Sequence, residues 1–264
     1  MTIIDLDKRH EELYFKCLIG DPDRLTDSGE YKRRWYKVMK PRGLKVKLAL
    51  NDSGAPLGMI QYLPVEESIV SGKDMYYIYC IWVINDPKFR GNHQKQGYGK
   101  ALLRAVEEDA HADGKKGVIA WGLVIPVFMP AAWFRKHGYT PVERLGLQTL
   151  LWKTWDKDAD KPYWITPRKK PEHVSGKTVV TCFCGGWCPE ANKAFTRARR
   201  AAEAAGSDVE FLEIDTTDRR VFEEYGIADA LFVNDREMRI GPAPSYKKIE
   251  HTIRKSVRRA KKGK

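Results

Sequence analysis

The stretch His93–Ala110, HQKQGYGKALLRAVEEDA, sets two glycines one residue apart just before an apolar run with Leu102, Leu103, Val106 and Ala110 at three- and four-residue steps. That period predicts a helix from Gly97 to about Gly114, where the glycine serves as C-cap. Gly97 and Gly99 permit positive φ or a close backbone approach to a ligand. Unpaired N–H groups at the helix start, reinforced by the dipole, then form a cradle for a phosphate. A dinucleotide-binding fold would need GxGxxG after the first strand of a βαβ unit, whereas this chain has one Gly-x-Gly after an antiparallel run of strands. On spacing alone the same residues also read as a plain helix start with flexible glycines.

Upstream, KVKLAL (Lys45–Leu50), NDSG and APLGMIQYLPV read as strand, tight turn and strand. DMYYIYCIWVI (Asp74–Ile84) is a third strand, too apolar on both faces for an edge. Downstream, GVIAWGLVI is a buried strand, PAAWFRKHGY a short helix and LGLQTLLWKTW a closing strand. The uncharged run Gly117–Phe134 approaches the length of a membrane span, but Pro126 and Pro130 cut it into strand, loop and helix start, and no membrane is expected.

The segment 156–177, with three prolines, dense charge and no apolar period, reads as a linker. It divides a first domain, 1–155, from a second, 178–264, which ends in a basic tail. In the second, TVVTCF, VEFLEI and ALFVN read as strands, and CPEANKAFTRARRAAEAAG, TDRRVFEEYG and PSYKKIEHTIRKSVRRA as helices, which implies an α/β layer structure.

The chain has 264 residues, 42% of them hydrophobic, enough for two modest cores. Its charged start, MTIIDLDKRHEELY, has no signal-peptide pattern. Five cysteines, an odd number, argue against an extracellular disulfide framework and for a reducing, cytoplasmic location. The net charge of +12 is spread along the chain except in the last fourteen residues, which carry seven basic and no acidic side chains. Nothing aromatic interleaves those charges as a base-stacking surface requires, so they read as the solvated end of a last helix and nucleic acid is not expected as a partner.

The run DPKFRGNHQKQGYGKALL resembles the acyl-CoA loop of the GCN5-related N-acetyltransferases (GNAT), Q/R-x-x-G-x-G/A. Gln94, Gly97 and Gly99 fill the motif, and Asp86, Pro87, Arg90 and Gly91 form the lead-in. GVIAWG and AAWFRKHGYTPVER continue the resemblance, which covers about residues 1–155. It implies a mixed sheet with flanking helices, acetyl-CoA as co-substrate, and a small-molecule amine as acceptor. It also implies that the strands at 75–84 and 117–123 splay to admit the pantetheine arm. The implied cofactor-binding set is Val83, Ile84, Gln94, Lys95, Gln96, Gly97, Tyr98, Gly99 and Lys100.

Many of these enzymes carry a tyrosine four residues before the glycine that here is Gly138, where it protonates the departing thiolate. This chain has Phe134, which has no proton to give. Tyr79, Cys80 and Tyr98 are candidates to replace it, though each reads more simply as a packing or loop residue. Glu67, with Glu66, is a candidate base for the amine, or solvated surface.

In TVVTCFCGGWCPEANKAF, the strand, turn and WCPEA resemble the active site of thioredoxin folds, and FLEIDTTDRRVFEEYGIADALFVNDREM resembles their later elements. A thiol at a helix N-terminus is activated by free N–H groups and the dipole, so Cys188 is the reactive candidate, equally readable as a structural thiol. The second cysteine of CxxC is replaced by Ala191, and the proline expected after YGI is absent, so a CxxC relay cannot operate. Cys184 could act as a resolving thiol, or Cys182, Cys184 and Cys188 could share a soft metal; Cys182 reads most simply as core. Together with GPAPSYKKI, the whole resembles N-acetyltransferase-like proteins with a C-terminal YoaP-like region. The expected fold class is therefore α/β, a GNAT mixed sheet plus a thioredoxin-like α/β domain. The rival functions are a thiol- or soft-metal-binding redox protein with CoA as regulatory ligand, and a basic nucleic-acid adaptor.

Overall fold

The structure, a computed structural model, describes all residues except 20–27, 29, 89, 173, 263 and 264. The chain divides into two compact units, Met1–Asp21 with Met39–Ile165, and Pro22–Val38 with Thr166–Lys264.

The first unit runs β1 (Thr2–Asp5) and α1 (Glu11–Phe15). After an excursion that carries α2 (Tyr31–Met39), all but its last residue, into the second unit, it resumes with β2 (Lys45–Leu50), β3 (Pro56–Pro64), β4 (Val70–Ser71), β5 (Met75–Val83), β6 (Asn85–Asp86) and β7 (Gly91–Asn92). It then continues through α3 (Tyr98–Ala112), β8 (Gly117–Leu123), α4 (Ala131–Lys136), β9 (Thr140–Leu145), β10 (Gln148–Thr154) and β11 (Tyr163–Trp164).

Seven strands form one sheet in the order β1-β2-β3-β5-β8-β10-β9. Every neighbouring pair is antiparallel except the central β5 and β8. This is the mixed sheet that the apolar runs call for: β3 and β5, buried along nearly their whole length, sit inside, and β9, with Pro141 lacking a donor, is an edge. Leu102, Leu103, Val106 and Ala110 are all buried on α3, as their period requires. At the facing position a Cβ on Gly58 would lie 3.1 Å from Leu102, so the glycine lets the helix approach the sheet.

The second unit runs β12 (Thr178–Cys184), α5 (Pro189–Ala205), β13 (Val209–Asp215), α6 (Arg219–Tyr225), β14 (Ala230–Val233), β15 (Arg236–Met238) and α7 (Tyr246–Lys262). Its sheet has the order β13-β12-β14-β15, with β12 parallel to β13 and antiparallel to β14. Both faces are covered. Val180, Cys182 and Cys184 point to one core with Phe195, Leu231, Ile249 and Ile253, and Phe183 to another with Ile227 and Phe232, as strand alternation demands. On α7 the fully buried positions are Ile249 and Ile253, and its basic side chains lie outside the core, so the basic tail is the end of that helix.

The expected single linker at 156–177 differs from the observed division. Residues through Ile165 go with the first unit: Tyr163 and Trp164 pair with Ser71 and Val70, and Trp164 N donates to Glu143 Oε2 at 2.7 Å. From Thr166 the chain belongs to the second unit, where Arg168 N donates to Tyr225 O at 2.8 Å. The chain also crosses earlier, because α2 completes the second unit. The Tyr31 hydroxyl donates to Glu213 Oε2 at 3.0 Å, Arg34 reaches Glu213 Oε1 at 2.9 Å, and the Tyr31 ring packs edge-on against Phe195. Among the described residues no helix is long and apolar enough to cross a membrane. The Gly117–Phe134 run is the strand, loop and helix start that its prolines indicate.

Candidate functional site

The loop before α3 is built from its own polar groups. β6 and β7 form a short hairpin in which Asn85 pairs with Asn92 and Asp86 with Gly91. Arg90 anchors this lead-in by donating to Leu18 O at 2.8 Å and Pro56 O at 3.0 Å. Asn92 then organises the next turn: its Oδ1 accepts from Gln94 N at 3.0 Å, and its carbonyl accepts from Gln96 Nε2 at 3.3 Å. Lys95 and Gly97 both have positive φ, 62° and 91°. Gly97 is the N-cap of α3, no side chain caps it, and the first turn contains no acidic residue. The first backbone bond runs from Ala101 N to Gly97 O at 3.0 Å, so the N–H groups of Tyr98, Gly99 and Lys100 precede the intrahelical ladder.

Gln94, Lys95, Gln96, Gly97 and Lys100 are exposed and surround this helix end, while the Tyr98 side chain is buried beneath it. A Cβ on Gly99 would meet the Trp133 ring of α4 at 3.3 Å, so only glycine leaves the cradle unobstructed. Orphan donors, a positive dipole end and two lysines fit a diphosphate.

The central strands supply the second feature. β5 and β8 pair only from Met75–Gly117 to Tyr77–Ile119, and both continue beyond that point without ladder partners for each other. The register of β5 against β3 slips there: Gln61 faces Cys80 and Tyr62 faces Ile78, leaving Tyr79 as the extra residue of a bulge. The bulge bends β5 away from β8 and opens a wedge between the strands. At its apex the Trp121 indole N–H donates to Tyr79 O at 2.9 Å. Val83 at the wide end lies beside Gly99, and Ile84 is buried, its N–H donating to Leu57 O at 2.9 Å. The wedge and the α3 N-terminus thus sit at the same end of β5.

The candidate acid–base residues are distributed unevenly. Tyr79 is at the bulge, but its side chain is buried edge-on against Tyr77, whose pKa burial pushes well above its ordinary value. Cys80 is also buried. Phe134 is fully buried between Trp133 and Tyr139. Glu66 and Glu67 lie in the turn after β3, whose last residue pairs with Tyr76 at the closed end of the wedge. Glu66 accepts from Asp74 N at 2.7 Å, and Glu67 forms an ion pair with Arg42 at 3.5 Å. The structure therefore does not bring Glu67 to the open end. The strand carries it the wrong way, which a one-dimensional reading could not tell.

In the second unit Cys188 is the N-cap of α5, the only one of the three clustered thiols that is not buried. Cys182 and Cys184 are sealed on β12, and burial pushes both thiols far above their ordinary pKa. Cys184 is thus no ready resolving thiol. Asp229, absent from the sequence reading, sits under the Gly185–Trp187 loop: it accepts from Gly185 N and from the Trp187 indole, both at 2.9 Å, and desolvation raises its pKa to about 6. Asn192, which is fully buried, donates to Gly186 O at 2.9 Å. Among the described residues no group of three or more His, Cys, Asp or Glu is placed to hold a metal ion, and the soft-metal reading of the thiols finds no site.

Residues 9–139, just under half of the chain, match the model of the Acetyltransferase (GNAT) family. No curated protein matches the sequence. Solved structures that align include an acetyltransferase of the GNAT family from Staphylococcus aureus Mu50, 13% identical, covering 59% of this chain and 99% of its own, with a TM-score of 0.42. A GNAT family acetyltransferase from Brucella melitensis in complex with acetyl-CoA is 14% identical over 61% and 91%, TM-score 0.42. The GNAT family N-acetyltransferase YhbS from Escherichia coli in complex with CoA is 15% identical over 60% and 82%, TM-score 0.41. Superpositions this loose carry no weight of their own, and the assignment rests on the family match. Residues 9–139, most of which lie in the first unit, are thus similar to the acetyltransferase domain of the GNAT family.

Proposed function

We propose that the protein is an acetyl-CoA-dependent N-acetyltransferase of a small-molecule amine, with a thiol-bearing accessory unit. The observation that carries this is the coincidence, at one end of β5, of an uncapped helix N-terminus ringed by Lys95 and Lys100 with a wedge between two strands. A ligand with a diphosphate at one end and a narrow amide-containing arm suits both. Tyr98, Gly99 and Lys100 would donate N–H groups to the diphosphate, and the β5 backbone from Cys80 to Val83, paired with β3 but without a ladder partner on its β8 side, would bond the arm's amides. Acetyl-CoA supplies an activated acetyl thioester there. The chain's part is to hold the acetyl carbonyl near Tyr79 and a neutral amine within reach, chiefly by positioning. With Phe134 buried and lacking a hydroxyl, proton delivery to the leaving thiolate falls to Tyr79, Tyr98 or solvent.

The connectivity β-α-β-α-β-β-α and the order β13-β12-β14-β15 support reading the second unit as thioredoxin-like, and the place of Cys188 at a helix start supports a reactive thiol. A thiol redox protein with CoA as regulatory ligand is the second reading, and it rests on Cys188 alone. Native mass measurement and calorimetry with acetyl-CoA, followed by a search for acetylated product in an amine panel, test the proposal. Micromolar binding with turnover is expected. Binding without transfer to any amine would favour the second reading, and absence of binding would overturn both.

A further inference from the structure

The wedge has two sides, and their chemistry differs. Val83 faces α3: a Cβ on Gly58 would lie 3.1 Å from Leu102 and 3.4 Å from Val83. Gly122 faces α4, where a Cβ would meet Ala131 at 2.7 Å. α3 and α4 are on the same side of the sheet, since Gly99 lies against Trp133. By strand alternation Trp82 and Trp121, each one residue earlier, project from the opposite side. There the loop after β8 returns on itself, with Leu123 N donating to Met129 O at 2.9 Å, and lays Phe128 between the two indoles. Its ring centroid is 6.2 Å from that of Trp82 and 6.0 Å from that of Trp121. Three aromatic rings, one from each strand and one from the loop, therefore line the wedge on the face away from the helix that takes the diphosphate.

The aromatic cluster adjoins exposed apolar surface. Val124, Ile125 and Val127 of the same loop and Leu145 and Leu147 of the β9–β10 turn make up half of the large exposed hydrophobics found among the described residues. The two loops are joined by Val124 N donating to Leu147 O at 3.0 Å. From Gly117 to Phe134 the sequence carries no charged side chain. Exposed apolar surface this concentrated marks a binding surface, and its continuity with the wedge says of what.

We infer that the acceptor is an amine with an aromatic or similarly apolar body, an arylalkylamine, seated on Trp82, Trp121 and Phe128 with its nitrogen directed to the wedge. The inference rests on the acetyltransferase reading above and names the acceptor class for that site. The ring pairs are tilted, at 38° and 56°, with centroids about 6 Å apart, the range in which aromatic groups pack, and a further ring can pack against the same cluster edge-on or offset. A polyamine or an amino sugar meets no counter-charge or polar lining from this segment, and leaves its hydration shell uncompensated.

The test uses the full chain with 2-phenylethylamine and spermidine as probes, followed by acetyl transfer and by calorimetry in the presence of CoA. Phenylethylamine should exceed spermidine in kcat/KM at least tenfold. Phe128→Ala should raise its KM, or its Kd where no turnover is seen, about tenfold while leaving the KM or Kd of acetyl-CoA unchanged, and Phe128→Trp should restore it. Val127→Lys, at an exposed position, should weaken phenylethylamine several-fold without disturbing the fold. Preference for spermidine, or a phenylethylamine constant indifferent to Phe128→Ala and Val127→Lys, overturns the inference even if transfer to other amines is efficient. Failure to bind acetyl-CoA is read separately and falls on the function proposal, since the calorimetric comparison of the two amines still decides the recess.

Discussion

The molecule contains two long helices that begin just after a glycine-rich turn, and the two starts are finished in opposite ways. α3 opens on Gly97 with no side-chain cap and no acid in its first turn, flanked by Lys95 and Lys100. α5 opens on Cys188, with Pro189 at N1, Glu190 in the first turn and the Asp229 carboxylate holding the turn from beneath. At α3 the dipole end and the orphan donors have no acidic group of the first turn beside them, which suits the anion proposed for this site. At α5, which likewise has no side-chain cap, the proline removes one donor, Glu190 pairs with Lys193 at 3.0 Å, and Asp229 sits beneath the preceding turn, so acidic groups stand near this start that α3 lacks. A helix N-terminus is thus an anion site only where the sequence leaves it unneutralised.

The largest expected effect is at the open start. Gly99→Glu places a side chain against Trp133, 3.3 Å from even its first carbon, and a negative charge among the donors. Acetyl-CoA binding should fall below detection in calorimetry while the melting transition of the second unit stays in place. Retained affinity would mean that the cradle is not the diphosphate site.

Next is the closed start, where the half-buried carboxylate of Asp229 should be visible as a pH dependence. Desolvation raises the pKa of Asp229 to about 6 from an ordinary value of 3.8. The folded state therefore holds its proton more tightly than the unfolded state, so this group's contribution is full below about pH 4 and is lost as pH rises through 6. The shift is worth about 3 kcal/mol. Between pH 4 and 7 the stability of Asp229→Asn relative to the native protein should rise by that order in denaturant titrations. A flat difference would show that water reaches the carboxylate.

Smaller again is the charge surrounding α3. Lys95 and Lys100 are exposed, and replacing both by alanine should weaken acetyl-CoA about tenfold and flatten the salt dependence of binding. The same pair of substitutions should leave thiol chemistry at Cys188 untouched.

Much of this contrast could be read from the sequence where it is local. The 3.6-residue period of Leu102, Leu103, Val106 and Ala110 placed α3, and the glycine spacing placed Gly97 at its start, where the anion cradle is proposed. Contacts between distant positions were not legible. Tyr31 meets Glu213, so α2 joined a unit whose other residues begin at Thr166. The bulge at Tyr79 depends on a one-residue slip against β3, and Phe128 reaches Trp82 only because the loop after β8 folds back. Glu67 had the right chemistry for a base, but β3 delivers it to the closed end of the wedge, beside Arg42. Asp229 lies in IADALF, where nothing local distinguishes it from a surface acid, and only the fold turns it under the Gly185–Trp187 loop.

The smallest effect concerns Cys188 itself. Burial excludes Cys80, Cys182 and Cys184 from reaction with a polar alkylating agent, which leaves Cys188 and Cys17. Cys188 has the helix dipole in its favour, but Glu190 on the first turn and Asp229 beneath the loop oppose a thiolate there. Limiting iodoacetamide at pH 7, read by peptide mass mapping, should label Cys188 first but by less than about tenfold over Cys17, the range left when a dipole worth about 1 kcal/mol is partly cancelled. Asp229→Asn removes one opposing charge and should speed labelling of Cys188 about threefold, without changing Cys17. If the substitution slows Cys188 instead, the carboxylate serves as the thiol's proton acceptor. The closed start would then be a catalytic arrangement rather than a neutralised one, and the contrast with α3 would be between two working sites.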